Sequence, residues 1–434
     1  VIATLDQNRS PRLYGAAGYP QKFASTVLFM PALKQKSLDY NSAAGNSFVI
    51  RLKNGHFLIS DGGNSIEADG LLNYLEEMAP AGEKPVVEGW FISHPHGDHY
   101  GAFNTIFNST TLRERIRVNG IYHNIPSFKA FLTGGSTSEY TNNVRFMNCA
   151  SRFTNDEGGD CKFYTLHTGD VYYFDDVRME IPITQDLLPM YSEVMPNYYG
   201  SEAMWRVNDL NDCSSWTKAV IEGQSFLNGG DGDAGTARFM ELSYSTSYLT
   251  VTFMNMLHHG YNILQHFKVN SVNSSKKTRS YTKNILFHVT TMLYDNEDTP
   301  PGTTGRFYGI RDVHTSYKNN ITNYLPSLEA TIEEHFSFTE GSRVFVFPYH
   351  VGTSKLYSDW IRPKLGDING DGVFTILDPI RHLYTLAFPD LYTTKLNRDL
   401  DHDGTVDADD AAHLLYALYF PESYRLTARP DSNW

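Results

Sequence analysis

The stretch that most restricts how this chain can fold is Val86–Ser93 (VVEGWFIS) running into His94-Pro95-His96-Gly97-Asp98-His99. A largely apolar run of that length, rich in β-branched and aromatic residues, reads as a buried strand. It delivers three imidazoles and a carboxylate within a few residues of its end. These groups suit zinc and related divalent ions. A loop leaving a strand end can turn such side chains toward one point. In the order His-x-His-x-Asp-His, His94 and His96 can serve one ion and Asp98 and His99 a neighbour. The alternative, a surface histidine cluster without metal, fits poorly with a motif that follows directly on a buried strand.

The surroundings of this motif read as layered α/β structure. Ser47–Leu52 (SFVIRL) and His56–Ser60 (HFLIS) are strand-like runs split by Lys53-Asn54-Gly55, and Asn-Gly is a strong hairpin-turn signal. Leu71, Leu72, Tyr74, Leu75 and Met78 recur at helical spacing before the Val86–Ser93 strand. Later strands are expected at Lys162–Leu166, Val171–Phe174, Thr217–Ile221, Ser225–Leu227, Tyr248–Met254, Asn284–Val289 and Arg343–Phe347.

With 41% hydrophobic and 20% charged residues among 434, the chain is an ordinary globular one rather than a disordered one. No window holds about 18 uninterrupted apolar residues, so no membrane span is expected. The net charge of −13 argues against broad, non-specific nucleic-acid binding. It does not exclude a nuclease, because an active-site cation inverts the local field. The acidity is uneven: residues 366–434 hold 12 Asp+Glu and 5 Lys+Arg, a net of −7, leaving −6 for the rest. Of the three cysteines, Cys149, Cys161 and Cys213, the first two are close enough in sequence for one disulfide, and three reduced thiols are an equal alternative. The opening VIATLDQ has no signal-peptide pattern, which leaves either no such leader or one already removed.

The segment Trp90–Ala102 (WFISHPHGDHYGA) resembles the signature of the metallo-β-lactamase superfamily. Ser47–Gly63 resembles that family's opening hairpin, Asn211–Asp233 its later strand pair, and Leu257-His258-His259-Gly260 its last metal-binding turn. The combination is most similar to the nuclease-like domain of DNA-uptake channel proteins. The resemblance implies a four-layer αβ/βα sandwich with the site along one sheet edge. It also implies that His94 and His96 bind one metal, that Asp98, His99 and either His258 or His259 bind a second, and that Asp231 bridges them. Two divalent transition-metal ions, zinc first, are the expected cofactors. Many family members add a further histidine before the bridging aspartate. Here residues 100–230 contain only His123 and His167, neither in a ligand motif. The first metal is therefore expected with three protein ligands, or the site is mononuclear. His314 is a candidate substrate contact, although a lone histidine is more often structural.

A second pattern lies in the acidic C-terminal segment. Asp367, Asn369, Asp371, Thr375 and Asp378 stand at EF-hand loop positions 1, 3, 5, 9 and 12, with Val373 offering its carbonyl at position 7 and Gly372 at the turn. Thirty-two residues later the pattern repeats in Asp399, Asp401, Asp403, Thr405, Asp407 and Asp410. The duplication continues through Leu383/Leu415, Tyr384/Tyr416, Leu386/Leu418 and Phe388/Phe420. This duplicated loop and helix resembles the type I dockerin module, a small all-α EF-hand-like domain. The resemblance implies two Ca2+ ions, a cohesin module of a scaffolding protein as partner, and an extracellular or cell-surface multienzyme complex. The loop pairs Ile376-Leu377 and Ala408-Asp409 depart from the small hydroxylated pairs usual there, so which cohesin is recognised does not follow.

The domain plan expected is a catalytic domain at 1–352, a connection at 353–365, the dockerin-like domain at 366–426 and a tail at 427–434. The expected function is a secreted metal-dependent hydrolase using a metal-bound hydroxide, with Asp98, His94, His96 and Asp231 as its catalytic groups. Its substrate is expected to be a phosphodiester, such as an extracellular polymer. Carboxylic-ester, lactone or β-lactam hydrolysis is the second enzyme reading. A non-catalytic binding module displayed through the dockerin is the third.

Overall fold

The computed structural model describes residues 12–13, 22–31, 45–80, 83–125, 141, 144–147, 149, 152–185, 210–232, 240, 243–255, 288–294, 333–337, 341–361, 366–369, 374–389, 391–392, 399–401, 403–421 and 423–424. In chain order its strands are β1 (Arg12–Leu13), β2 (Val27–Met30), β3 (Ser47–Arg51), β4 (Phe57–Asp61), β5 (Val86–Ile92), β6 (Arg117–Val118), β7 (Gly120–His123), β8 (Lys162–Thr165) and β9 (Val171–Phe174). They continue with β10 (Val177–Ile183), β11 (Trp216–Ile221), β12 (Gln224–Asn228), β13 (Thr250–Asn255), β14 (His288–Tyr294), β15 (Glu334–Ser337), β16 (Arg343–Val346) and β17 (Lys355–Leu356). The two longer helices of the first part are α1 (Ala68–Met78) and α2 (Gly97–Asn108).

The strands form two mixed sheets. One runs β17-β16-β2-β3-β4-β5-β7-β8 with β6 beside β5, and the other runs β1-β9-β10-β11-β12-β13-β14-β15. Side-chain parity assigns each face of the first sheet. Val27, Phe29, Val49 and Ile59 pack with Leu71, Leu72 and Leu75 of α1 and with Phe103 and Ile106 of α2. Their neighbours Leu28, Phe48, Ile50 and Leu58 face Met179, Ala219, Phe226 and Phe253 of the second sheet. Covered on both sides, β2, β3 and β4 are buried along their whole length, which is why their sequences run apolar without alternation. Helix layer, sheet and sheet are thus described. Of an outer layer on the second sheet, the described residues supply the helical turn Thr246–Leu249 beside β13.

Two details prepare the site. Gly55, with φ +88°, closes the β3–β4 hairpin and sets the register that pairs Ser47 with Asp61. β4 and β5 are parallel, as are β12 and β13, while β11 runs antiparallel to β12. The carboxyl ends of β4, β5, β12 and β13 and the start of β11 therefore reach one edge of the sandwich. There Ser215 donates its N–H to the Ser93 carbonyl across the two sheets, at 2.9 Å.

The helix that follows β5 is not expected from periodicity. It begins inside the histidine motif, with His96 as its N-cap residue and Asp98 in its first turn. There the carboxylate also meets the positive end of the helix dipole. Residues 355–360, within the connection expected at 353–365, form β17 and the helical turn Tyr357–Trp360. Tyr357 and Trp360 are buried in the core beneath α1. Cys149, Cys161 and Cys213 are buried thiols, so the disulfide alternative is not the one adopted. Burial, with Cys161 close by, pushes the Cys149 thiol up, and burial pushes Cys161 up to about 12. In the C-terminal part, helices Leu377–Ala387 and Ala408–Tyr419 pack together over Ile368, Leu400 and Leu414. Among the described residues, no helix is long and apolar enough to cross a membrane.

Candidate metal centre

The site is assembled from β4 upward. Asp61, the last residue of β4, has φ +59°, a left-handed conformation that an aspartate tolerates better than most residues. It is fully buried, and its carboxylate accepts hydrogen bonds from the Ser93 N–H (2.8 Å), the Ser93 hydroxyl (2.8 Å) and His99 Nδ1 (2.9 Å). Its carbonyl accepts from the Trp90 indole. Gly62 and Gly63 then run against α2, where Gly63 donates to the His99 carbonyl and accepts from Ala102. This close approach leaves no room at Gly101, where a Cβ would sit 2.7 Å from the Ser65 nitrogen.

Three imidazoles meet above this base. His94 and His99 are fully buried, and His96 is partly exposed. His94 Nε2 lies 3.0 Å from His96 Nδ1 and 3.6 Å from an Asp231 oxygen. His99 Nε2 lies 2.9 Å from the other Asp231 oxygen. Asp231 arrives from the second sheet on a tight turn after β12, in which Gly230 has φ +52° and Gly232 donates to the Gly229 carbonyl. A Cβ on Gly230 would sit 2.6 Å from the Ser93 hydroxyl oxygen, so the turn can approach the histidines only without a side chain there.

Two triads result. Donor atoms of His94, His96 and Asp231 all lie within 4.8 Å of one another, and so do those of Asp98, His99 and Asp231. Asp231 belongs to both. This donor set fits a pair of divalent cations: imidazole nitrogens and carboxylate oxygens, three to each position, with one shared carboxylate. The electrostatics agree. Burial, and then the charge of His99, holds His94 well below its ordinary value, so its ring stays neutral and keeps a lone pair to donate. Burial resists charging His99, but Asp231 and Asp61 outweigh it and hold that ring well above its ordinary value. The space between Asp61 and Asp231 thus calls for positive charge. Because Asp61 engages Nδ1, Nε2 is the nitrogen turned toward Asp231.

His94, His96, Asp98, His99 and Asp231 are therefore brought together. His258, His259 and His314 lie outside the described residues. His123 and His167 stand apart from both triads. His123 Nδ1 accepts the Ile125 N–H, its ring packs on Phe146 and Phe163, and burial lowers it to about 3. His167 opens the β8–β9 turn, where its N–H is held by Asp170. Neither Asp61 nor Ser93 belongs to the ligand motif that the sequence shows. The available signal was an aspartate closing a strand that opens with the apolar run Phe57-Leu58-Ile59.

In the C-terminal part, Asp378 and Asp410 are buried equivalents at the starts of the two helices. Asp378 accepts the N–H groups of Asn369 and Thr375. Asp410 accepts those of Leu400, Asp401 and Asp407. Oxygens of Asp399, Asp401 and Asp410 converge within 4.8 Å. Asp403 and Thr405 close their loop through hydrogen bonds to each other and to Asp401 and Asp407. Asp367 is buried beside Ile368, and Asp371 and Val373 lie outside the described residues.

No family model matches the sequence, and no curated protein matches it. The structure is similar to that of the metallo-beta-lactamase fold protein YhfI from Bacillus subtilis, with TM-score 0.36 and 9% identity, covering 72% of this chain and 96% of that one. It is also similar to Zn(2+)-bound PqqB from Methylobacterium extorquens, with TM-score 0.34 and 8% identity over 62% and 88% of the two chains. A third is CmlA, a diiron beta-hydroxylase from Streptomyces venezuelae, with TM-score 0.35 and 10% identity. That match covers 74% of this chain but only 54% of CmlA. Likenesses this distant carry no argument about activity, which rests on the donor geometry.

Proposed function

We propose that this protein is a metal-dependent hydrolase of the metallo-β-lactamase fold, acting outside the cell on a phosphodiester. The observation that carries the reading is the sharing of Asp231 between two buried histidine–carboxylate triads. When bound, divalent cations lower the pKa of water and offset charge developing on an ester or phosphoryl oxygen. The chain's own groups do the rest. His94 and His96 would hold one cation, Asp98 and His99 the other, and Asp231 would serve both. Asp61 locks the His99 ring so that only Nε2 points inward. Asp98, partly exposed in the first turn of α2, is the carboxylate able to take up the proton released on cleavage. The resemblance of Trp90–Ala102 and Asn211–Asp233 to nuclease-like domains puts phosphodiesters ahead of lactones, carboxylic esters and β-lactams.

The same proposal assigns residues 366–426 as a dockerin-like module. It would hold two Ca2+ ions through Asp367–Asp378 and Asp399–Asp410 and tether the enzyme to a cohesin on a scaffold. Its support is the thirty-two-residue duplication and the matched, buried Asp378 and Asp410 carboxylates.

Elemental analysis of zinc-supplied wild type beside Asp231→Asn tests the catalytic reading. About two zinc ions per chain are expected, lost in the variant while its circular dichroism is kept. Hydrolysis of bis(p-nitrophenyl) phosphate should be faster than that of a simple lactone. Zinc binding without turnover of either substrate would favour a displayed binding module.

A further inference from the structure

Two buried amides next to the Asp231 turn have no part in the ligand set. Asn228 ends β12 and Asn255 ends β13, and the parallel register of the two strands (Phe226 beside Phe253, Leu227 beside Met254) places them side by side. Parity sets both on the face that Phe226 and Phe253 present to the core between the sheets. Around them on that face stand the apolar side chains of Ala219, Phe226, Phe253 and Leu293. Here stand two amides, with Asn255 fully buried and Asn228 nearly so.

Their hydrogen bonds explain the choice. Asn228 Oδ1 accepts the Gly230 N–H at 3.1 Å, and Asn255 Nδ2 donates to the same oxygen at 3.1 Å. Asn255 Oδ1 has no partner among the described residues. A buried acceptor left unpaired is unfavourable, and an apolar residue at 255 would avoid it. The amide therefore supplies something packing does not: it holds the Asn228 oxygen on the Gly230 N–H, one residue before Asp231. Gly230 itself cannot be stiffened by a side chain, since a Cβ would strike Ser93. Beyond the turn's own hydrogen bond from Gly232 to the Gly229 carbonyl, further rigidity has to come from outside it.

We infer that Asn228 and Asn255 form a positioning clamp that sets the Asp231 carboxylate between the two donor triads and thereby raises the affinity of the site for metal. The inference rests on the hydrolase reading above, because it concerns how that site is held. Neither amide is a ligand. Asn255 acts on Asn228, Asn228 acts on the Gly230 peptide, and that peptide carries Asp231. Groups that orient a metal ligand in this way typically change affinity by about 10–100-fold when removed.

The test uses the full chain, with zinc alone as probe, titrated against a competing chelator. Asn228→Asp keeps an acceptor for both hydrogen bonds and should bind zinc about as tightly as wild type. Asn255→Asp has the same shape but sets an acceptor against the Asn228 oxygen. Asn228→Leu removes the acceptor. Both should weaken zinc binding by about 10–100-fold while near-ultraviolet circular dichroism stays native. Affinity unchanged in Asn255→Asp and Asn228→Leu would overturn the clamp while leaving the hydrolase reading intact. Zinc loss that only follows loss of the native spectrum would also overturn it, because the pair would then be merely structural. A wild type that binds no zinc would overturn the hydrolase reading and the clamp with it.

Discussion

Asp61 is the residue on which the geometry of the first motif depends. It keeps a left-handed backbone, a conformation costing about 1–3 kcal/mol in a non-glycine residue, and its carboxylate answers three donors at once. A glycine would relieve the backbone but leave the Ser93 and His99 donors unanswered. Asp61→Asn should lower zinc affinity by about 10–100-fold, because a neutral amide orients and charges His99 less well. Chelator competition on folded protein measures this, and equal affinity would remove Asp61 from the site's design. Asp61→Gly should lose zinc at least as severely despite its easier backbone. Of the five residues around the two cation positions, His94, His96, Asp98 and His99 were legible from one short motif, and Asp231 only through the resemblance of Asn211–Asp233. Asp61 was not, because its role depends on reaching Ser93, 32 residues along the chain. Asn228 and Asn255 were illegible for the same reason, being 27 residues apart and joined only through strand register.

At the scale of elements, apolar runs made β3, β4 and β5 readable, β-branched residues made β11 readable, and leucine spacing made α1 readable. β10 was missed although Val177, Met179 and Ile181 alternate with Arg178 and Glu180 as in a half-buried strand; Pro182 within the run obscures it. α2 was missed because its opening, Gly97-Asp98-His99, reads as a loop until His96 is seen capping it. Two positions test the packing of these elements. Gly89 in β5 lies against rings: a Cβ there would meet Phe91 at 2.9 Å, Tyr122 at 3.2 Å and Phe174 at 3.3 Å. Gly89→Ala should destabilise the domain by about 1–3 kcal/mol, the usual effect of overpacking, read as a lower denaturant midpoint. His123, at the end of β7, tests pH dependence. Burial lowers its folded pKa to about 3, below the unfolded value near 6.5. The unfolded chain therefore binds the extra proton first. The stability this group contributes is complete above about pH 6.5 and is lost as pH falls toward 3, at about 1.4 kcal/mol per pH unit. His123→Asn keeps an acceptor for the Ile125 N–H and loses ring packing. It should be less stable at pH 7 yet show a shallower fall between pH 6.5 and 4. Denaturant melts of metal-stripped protein would show this, and parallel slopes for wild type and variant would refute it.

For the whole molecule, two very different amounts of buried surface imply two different sources of stability. The first part has two extended apolar cores, one beneath its helices and one between its sheets. Around helices Leu377–Ala387 and Ala408–Tyr419, the described core is Ile368, Leu400 and Leu414 with Phe374 against them. Buried among these few side chains are Asp367, Asp378, Asp399 and Asp410. Hydrogen bonds from backbone N–H groups ease the Asp378 and Asp410 carboxylates but do not neutralise them. On the dockerin-like reading proposed above, a segment of about 60 residues with so few apolar side chains in its described core and so much like charge would need a cation to fold. Calcium held at about 100 times its dissociation constant would add about 2.7 kcal/mol per site. Full-length protein freed of calcium, with zinc held constant, should therefore lose the helical signal of the C-terminal segment and regain it as calcium chloride is titrated in. Calorimetry should show one transition that moves with calcium and a second, from the sheet-bearing part, that does not. Asp410→Ala should abolish much of the calcium-dependent shift and leave the second transition in place. If the helices persist without calcium and neither transition moves, the loops are acidic turns stabilised by their own hydrogen bonds, and the proposed tether loses its physical basis.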